Sequence, residues 1–418
     1  MHLALLSVHT SPLEQPGTGD AGGLNVYVDE TSRQLAQRGI EVDVFTRATT
    51  PDQPPTEQIV DGVRVHHLPA GPLDSVRKDE LPVYLCSLAS EMLRVGARNP
   101  AGYFDVIHSH YWLSGQVGSV ASDRWNIPLV HTMHTLAEVK NANLASGDKP
   151  EPTLRVQGEQ QVVRDADILL ANTKSEATDL VNLYGADPEH VKVAHPGVDL
   201  AQFAPGDKSA AREALGIRPD AYLALFVGRI QPLKGPDVLI RAAAELIKLR
   251  PDLEDRLVVA ICGGPSGAGP ERMAELRRLS DDLGISHLIR FEPPSTRPEL
   301  ARWFQAADVT CVPSYSESFG LVALESQATA TPVLAANVGG LKTAVSHGVS
   351  GQLVDSHDPY IWAQHLDELE RQPRLREHLS HGARLYASDF GWSATADALI
   401  DVYEQAIRLR RFGNLHSA

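Results

Sequence analysis

The chain has 418 residues, 43% of them hydrophobic and 22% charged, with a formal net charge of −15 at pH 7, a balance ordinary for globular proteins and too long for one core, so two domains are expected. No apolar run approaches the ~20 residues of a membrane span, and the acidic excess speaks against nucleic acid as a partner, since phosphate backbones are bound by concentrated Lys and Arg. Cys86, Cys262 and Cys311, an odd number without metal-ligand spacing, read as reduced core thiols.

The opening residues lack the basic start of a secretory signal and read as a buried strand over 3–8, which places the protein in the cytoplasm. A glycine-rich stretch follows over 9–28, in which Gly17, Gly19 and Gly22 fit Gly-x-Gly-x-x-Gly and Asp43 lies about 20 residues further on, as in a dinucleotide fingerprint. Against that reading, 9–16 intervene between the strand and the first glycine, and Asp43 falls inside the next strand instead of at its tip. Gly22 and Gly23 are better used to let backbone approach a ligand closely. Apolar, β-rich runs at 42–46, 106–108, 129–131, 168–171 and 191–194 then alternate with helical patterns, the rhythm of a parallel sheet covered on both faces. At their ends stand Lys78, Tyr111, His134, Thr135 and Arg155. Each has a plain explanation: a solvated charge, a packing aromatic, a core imidazole, or, for Arg155, an ion pair with Glu159. Together, the two cations and two hydroxyls suit a phosphate monoester.

Pro196, Gly197, Pro205 and Gly206 punctuate a connection rather than an element, and the domain boundary is expected there. A second series of strands runs at 223–227, 257–262, 289–291, 309–312 and 333–335. Directly after the first of these come Gly228, Arg229, Lys234 and Gly235, two cations at the carboxyl edge of a parallel sheet. The planar fork of Arg and the point charge of Lys can hold a diphosphate and neutralise the charge that builds as it leaves. After 309–312 a polar turn leads into a helix expected over 319–328. Its first peptide N–H groups, at Gly320, Leu321 and Val322, would meet phosphate. Glu317 and Glu325, acceptor-only when ionised, would bind sugar and ribose hydroxyls; the bland alternative is two solvated helix carboxylates. The last pattern, 392–408, repeats Trp392, Ala396, Leu399, Val402 and Ala406 at helical spacing.

The cation loop followed by the glutamate pair resembles, over about 222–355, the donor half of the retaining family 4 glycosyltransferases. The resemblance implies an α/β GT-B fold of two Rossmann-like doubly wound domains facing a central cleft. Residues 1–196 would form the acceptor-binding domain and 197–389 the UDP-sugar-binding domain, with a C-terminal helix at about 390–418 crossing back to the first. The stretch 9–28, Lys-Asp-Glu-Leu-Pro from Lys78, His-Ser-His-Tyr-Trp around Tyr111 and His-Thr-Met-His-Thr ending at Thr135 further resemble the mycothiol-biosynthesis branch of that family, over nearly the whole chain. This branch implies transfer of N-acetylglucosamine from UDP-GlcNAc to 1D-myo-inositol 3-phosphate, the first step of mycothiol biosynthesis, by a hexosyltransferase acting with retention.

By the same resemblance Lys78, Tyr111, Thr135 and Arg155 hold the acceptor phosphate, while His9, Asp20, Ala21, Gly22, Gly23, Leu24 and Asn25 line its ring. Gln15, Pro16, Gly23, Arg229, Lys234, Glu317, Gly320, Leu321, Val322 and Glu325 meet the donor. Arg229 and Lys234 would stabilise the leaving group, with His134 and Glu317 positioning the donor sugar. No cofactor is required for catalysis and no metal ligand is expected, although the branch allows a structural Mg2+ near 304–307 and Thr331, as well as a homodimer. Two departures stand out: Ala330 where the family has Gly, and Glu292 where an apolar residue is usual. The main rival is a sucrose-phosphate-synthase-like enzyme with a ketose phosphate acceptor, since it too needs a phosphate clamp. A non-catalytic UDP-sugar-binding module and an NAD-dependent enzyme are more distant alternatives. The residues alone support a nucleotide-diphosphate donor, an anionic acceptor and a reaction between the domains.

Overall fold

Each apolar run becomes a strand in the computed structural model, which describes residues 1–73, 76–145, 147–264 and 271–416. The first half gives β1 (His2–Leu6), β2 (Glu41–Arg47), β3 (Thr56–Val60), β4 (Val63–Leu68), β5 (Val106–His110), β6 (Leu129–Thr132), β7 (Ile168–Ala171) and β8 (Val191–Val193). They form one sheet in the order β3-β4-β2-β1-β5-β6-β7-β8, with β3 alone antiparallel to its neighbour. The second half gives β9 (Tyr222–Val227), β10 (Leu257–Cys262), β11 (Ile289–Glu292), β12 (Val309–Val312), β13 (Val333–Ala336) and β14 (Gly351–Val354) in the all-parallel order β11-β10-β9-β12-β13-β14.

Strand order reverses beside β1 in one sheet and beside β9 in the other. These are the points where doubly wound sheets open a crevice for ligands at their carboxyl ends. The loops singled out in the sequence leave those strands, and the architecture is the GT-B arrangement of two Rossmann-like domains about a cleft. Interior strands such as Ile168–Ala171 are buried along their whole length, as expected of parallel strands covered on both faces.

Three strands lie outside the expected set. β3 and β14 are sheet edges, and their sequences, Thr-Glu-Gln-Ile-Val and Gly-Gln-Leu-Val, lack the apolar run of a strand buried on both faces. β4 alternates because Arg64 and His66 turn toward Asp43 of β2. Asp43 is 2% exposed, takes Arg64 Nε at 2.9 Å, and lies 2.6 Å from His66 Nε2 and 2.7 Å from His2 Nε2. It is the centre of an ionic cluster within the fold, which removes the acidic residue that a dinucleotide fingerprint needs.

The helix Trp392–His416 packs Ala396, Leu399, Val402, Tyr403 and Ala406 against Leu3, Val28, Val106 and Val130 of the first domain. Each fully buried aliphatic side chain there stabilises by roughly 1.5–3 kcal/mol, so the final helix completes the first domain's core. Residues 417 and 418 of the expected crossing helix lie outside the described residues. Where the chain passes between domains, Val198 N–H donates to Phe390 O at 2.7 Å, and Val198 forms a parallel bridge with Gly391. Cys262 and Cys311 are buried, but Cys86 is exposed. It falls on the outer face of the helix Leu85–Gly96, whose buried stripe is Leu88, Ala89 and Met92, and this corrects the core reading of that thiol. No described helix is long and apolar enough to cross a membrane.

Candidate active site

A cavity of about 610 Å3 opens between the two carboxyl edges. On the donor side the chain leaves β9 through Arg229 to a tight turn, Pro232–Lys234. Gly235 follows at φ +65°, where a Cβ would stand 2.2 Å from Pro313 O. Glycine is needed there for the Lys234 loop to lie against the loop after β12. Across that contact Lys234 Nζ donates to Glu317 Oε2 at 2.5 Å. The Glu317 turn is braced from below: Gly340 N–H donates to Glu317 O at 2.8 Å, and a Cβ on Gly340 would meet Ser318 O at 2.2 Å. The sequence reading passed over this Gly339-Gly340 pair.

The following helix is Leu321–Ala328, starting two residues later than expected because Gly320 at φ +104° is its N-cap. Phe319 is buried in the core. Gly320, Leu321 and Val322 lie on the cavity wall, and first-turn N–H groups have no intrahelical acceptor. Glu325, one turn on, also lines the wall; burial pushes its carboxyl up to about 7 while Arg297 pulls it down.

On the facing side, the helix Gly23–Ala36 begins behind Gly22, whose N–H donates to Asn25 Oδ1 at 2.8 Å. A Cβ on Gly22 would lie 3.5 Å from Arg229 Nε, and one on Gly23 would lie 3.3 Å from Leu321 Cδ1. The two glycines thus bring the domains themselves close at the donor end. Asp20 Oδ1 stands 3.9 Å from Arg229 Nη1, and its Oδ2 3.6 Å from His9 Nε2. Burial, aided by Lys78, pushes His9 down to about 3, and burial does the same to His134. Both imidazoles are therefore neutral hydrogen-bonding groups at physiological pH. His134 Nε2 lies 2.8 Å from His110 Nδ1. Tyr111 and His134 hold φ values of +70° and +58°, strain of a kind that collects at functional sites.

Gln15, Pro16, His9, Asp20, Leu24, Asn25, Lys78, Tyr111, His134 and Thr135 all reach the cavity wall together with Arg229, Lys234 and Glu317. Two expected residues lie behind that wall: Ala21 is fully buried, and Arg155 is 3% exposed. Arg155 Nε donates to Glu159 Oε1 at 2.7 Å and its Nη2 to Thr135 Oγ1 at 2.7 Å. Its Nη1 lies 2.9 Å from Glu151 Oε1, yet makes no aligned hydrogen bond. Lys78 Nζ and the Arg155 guanidinium stand 4.4 and 5.1 Å from the centroid of the Tyr111 ring, at cation–π distance. Burial and then Arg155 push the Lys78 ammonium down to about 8. Beside them is a cation that sequence reasoning missed, Lys140 on the cavity wall, paired with Glu151. No motif marks it, since its partner Glu151 stands in a separate segment and the two meet only in the fold.

Thr331 Oγ1 donates to Phe304 O at 2.7 Å, so the segments considered for Mg2+ do meet. They offer carbonyl and hydroxyl oxygens, and the neighbouring Asp308 is already paired with Lys208 and Arg212. Such a set does not fit a firmly held divalent cation. Among the described residues no group of three or more His, Cys, Asp or Glu is placed to hold a metal. Ala330 adopts φ +65°, the conformation that explains a usual glycine, and Glu292 pairs with Arg290 at 2.6 Å; neither lines the cavity.

Two family models match the chain, a glycosyl transferase 4-like domain over residues 22–197 and the glycosyl transferases group 1 over 207–386. The chain is 58% identical to a D-inositol 3-phosphate glycosyltransferase of Thermobispora bispora, over 97% of this chain and 95% of that one. It is 56% identical to the D-inositol 3-phosphate glycosyltransferase of Thermomonospora curvata over the same shares. Among solved structures, sucrose-phosphate synthase from Thermosynechococcus elongatus superposes with a TM-score of 0.89 at 29% identity, covering 98% of this chain and 99% of that one. Anabaena HepE in complex with UDP-glucose, at a TM-score of 0.75 and 20% identity over 97% of this chain and 100% of that one, is alike in fold. The chain belongs to the group 1 glycosyltransferases, in the family of the D-inositol 3-phosphate glycosyltransferases.

Proposed function

We propose that the protein transfers N-acetylglucosamine from UDP-GlcNAc to 1D-myo-inositol 3-phosphate with retention of the α configuration. The observation that carries this reading is one cavity with cationic side chains at both of its ends. Arg229, Lys234 and the start of the helix Leu321–Ala328 make one; Lys78, Tyr111 and Thr135 make the other. The diphosphate would lie at the first end, against the N–H groups of Gly320, Leu321 and Val322. Glu325 would accept from the ribose hydroxyls and Glu317 from those of the sugar. Neutral His134 would hydrogen-bond the sugar without adding charge.

The acceptor hydroxyl attacks the anomeric carbon on the face from which the diphosphate departs. Its proton passes to a diphosphate oxygen, so the new glycosidic bond forms as the old carbon–oxygen bond breaks, and UDP leaves. Arg229 and Lys234 are preorganised for the charge that develops on that oxygen. The relatives at 58% and 56% identity favour an inositol phosphate acceptor over the ketose phosphate suggested by the more distant sucrose-phosphate synthase at 29%.

A coupled assay of UDP release tests the reading with inositol 3-phosphate, free inositol and fructose 6-phosphate as acceptors, and UDP-GlcNAc or UDP-glucose as donor. Fastest turnover with UDP-GlcNAc and inositol 3-phosphate is expected. Faster turnover with fructose 6-phosphate would assign the acceptor end to a ketose phosphate, and UDP binding without UDP release would reduce the protein to a binding module.

A further inference from the structure

At the acceptor end Lys78 and Arg155 flank the Tyr111 ring, and Lys140 stands on the same cavity wall as Lys78 and Thr135. Glu151 is paired with both Lys140 and Arg155. Lys140 belongs to the helix Ala137–Ala142 and reaches the cavity wall. Glu151 is tied to that helix by its own backbone, its N–H donating to Asn141 Oδ1 at 2.7 Å. The pair is therefore part of the wall's construction. Burial alone would raise the Glu151 carboxyl, but Arg155 and Lys140 more than offset it and hold it at about 2, so it is ionised throughout the physiological range.

The three cations are not equally free to meet a ligand. Arg155 is fixed by Glu159 and Thr135, and its Nη1 lies 2.9 Å from Glu151 Oε1 without an aligned hydrogen bond. Lys140 has a flexible stem, three donors and a half-buried side chain whose present partner can be exchanged. As a structural tie, a partly exposed pair of this kind contributes little. Its placement on one cavity wall with Lys78 and Thr135 has another consequence.

We propose that Lys140 and Glu151 form an exchangeable counter-ion pair at the acceptor end: Glu151 neutralises Lys140 while the site is empty, and the phosphate monoester of the acceptor takes its place, making Lys140 a specificity-determining residue for phosphorylated acceptors. The proposal rests on the acceptor reading given above. A phosphate brings more negative charge than a carboxylate and accepts from several donors at once. It therefore draws the ammonium of Lys140 toward itself. A neutral polyol offers no such attraction and leaves Lys140 with Glu151.

The test uses the full chain with Lys140→Met, Lys140→Arg, Glu151→Gln and, as reference, Lys78→Met. Turnover and KM are measured with inositol 3-phosphate and with free inositol, and calorimetric UDP binding verifies that each variant is folded. Lys140→Met is expected to raise KM for inositol 3-phosphate about tenfold or more, to lower the efficiency ratio of phosphorylated over free inositol by the same factor, and to be partly rescued in Lys140→Arg. Glu151→Gln, which removes the competing charge, is expected to lower KM for the phosphorylated acceptor. An unchanged ratio in Lys140→Met alongside a reduced one in Lys78→Met would overturn the role of Lys140 and leave the acceptor reading standing. Absence of any preference for phosphorylated inositol in the unaltered protein would remove the acceptor reading and the proposal with it. A raised KM in Glu151→Gln would make the pair a structural support and overturn the exchange; this arm decides the matter even where Lys140→Met fails to fold.

Discussion

Replacing Lys234 by alanine separates the chemistry of the donor end from its contribution to stability. Lys234 Nζ lies 2.5 Å from Glu317 Oε2, with side chains 22% and 17% exposed. A pair of that exposure contributes at the lower end, about 1 kcal/mol or less, a shift of roughly 2–4 °C in Tm for a domain of this size. On the proposed mechanism the lost interaction with the departing diphosphate would be larger, because the ammonium would face charge that appears only as the bond breaks. Removing one preorganised donor of this kind typically costs about 3–4 kcal/mol, roughly 10²- to 10³-fold in turnover. The catalytic loss therefore exceeds the stability loss by several fold in energy, and the variant is expected to remain folded. Stopped UDP-release assays at saturating donor and acceptor give kcat directly, with a thermal melt on the same sample. Turnover within about fivefold of the unaltered protein, or a fall in kcat matched by loss of the folded state, would refute the leaving-group assignment.

Glu325→Gln should flatten two pH profiles. The carboxyl sits near 7 in the folded protein against an ordinary value of 4.5, so the folded state holds an extra proton between those values and loses stability as pH rises through them. Ribose hydroxyls favour the ionised form, so calorimetric UDP affinity is expected to rise from about pH 6 to about pH 8 in the unaltered protein and to stay level in the variant; a parallel rise in both would refute the ribose contact. Glu317→Ala should weaken UDP-GlcNAc more than UDP; equal losses would contradict its assignment to the sugar. Ala330→Gly relieves a left-handed alanine and should add about 1 kcal/mol, the steric penalty less the glycine entropy cost; an unchanged or lower Tm would show that the strain is absorbed elsewhere. Asp43→Ala should cost about 3 kcal/mol in denaturant unfolding by stranding its partners. Burial alone would raise that carboxyl, but its hydrogen bonds with His2 and His66 and the charge of Arg64 hold it below the ordinary carboxylate range. The stability it adds is thus present above about pH 4 and lost on acidification, and that acid dependence should be missing from the variant.

The interior parallel strands were legible because both of their faces are buried, which writes an uninterrupted apolar run into the sequence, as at Ile168–Ala171. Edges leave no such mark, hence the silence of β3 and β14. Cys86 was misread for want of helix phase: its neighbours Leu85 and Leu88 are apolar, but it points the other way. At the site, residues whose chemistry is their own signal stood out, among them Arg229, Lys234, Glu317 and Glu325. What stayed hidden depends on segments distant in sequence meeting in space. The Gly339-Gly340 brace has meaning only under Glu317, Lys140 only beside Glu151, and Arg297 only against Glu30 of the other domain. For Arg155 the plain reading is the one the fold displays, an ion pair with Glu159, with a further hydrogen bond to Thr135.

The side-by-side passage of the chain at Val198 and Gly391 makes the second domain an insertion within the first. Cutting the gene after residue 196 would not release a first domain, since that fragment lacks Ala396, Leu399, Val402, Tyr403 and Ala406 from its own core. It would expose an apolar face and aggregate. Deleting the inserted segment and splicing its adjacent ends is the route to an isolated first domain, and the second domain should stand alone when expressed from just after the outgoing strand to just before the returning helix.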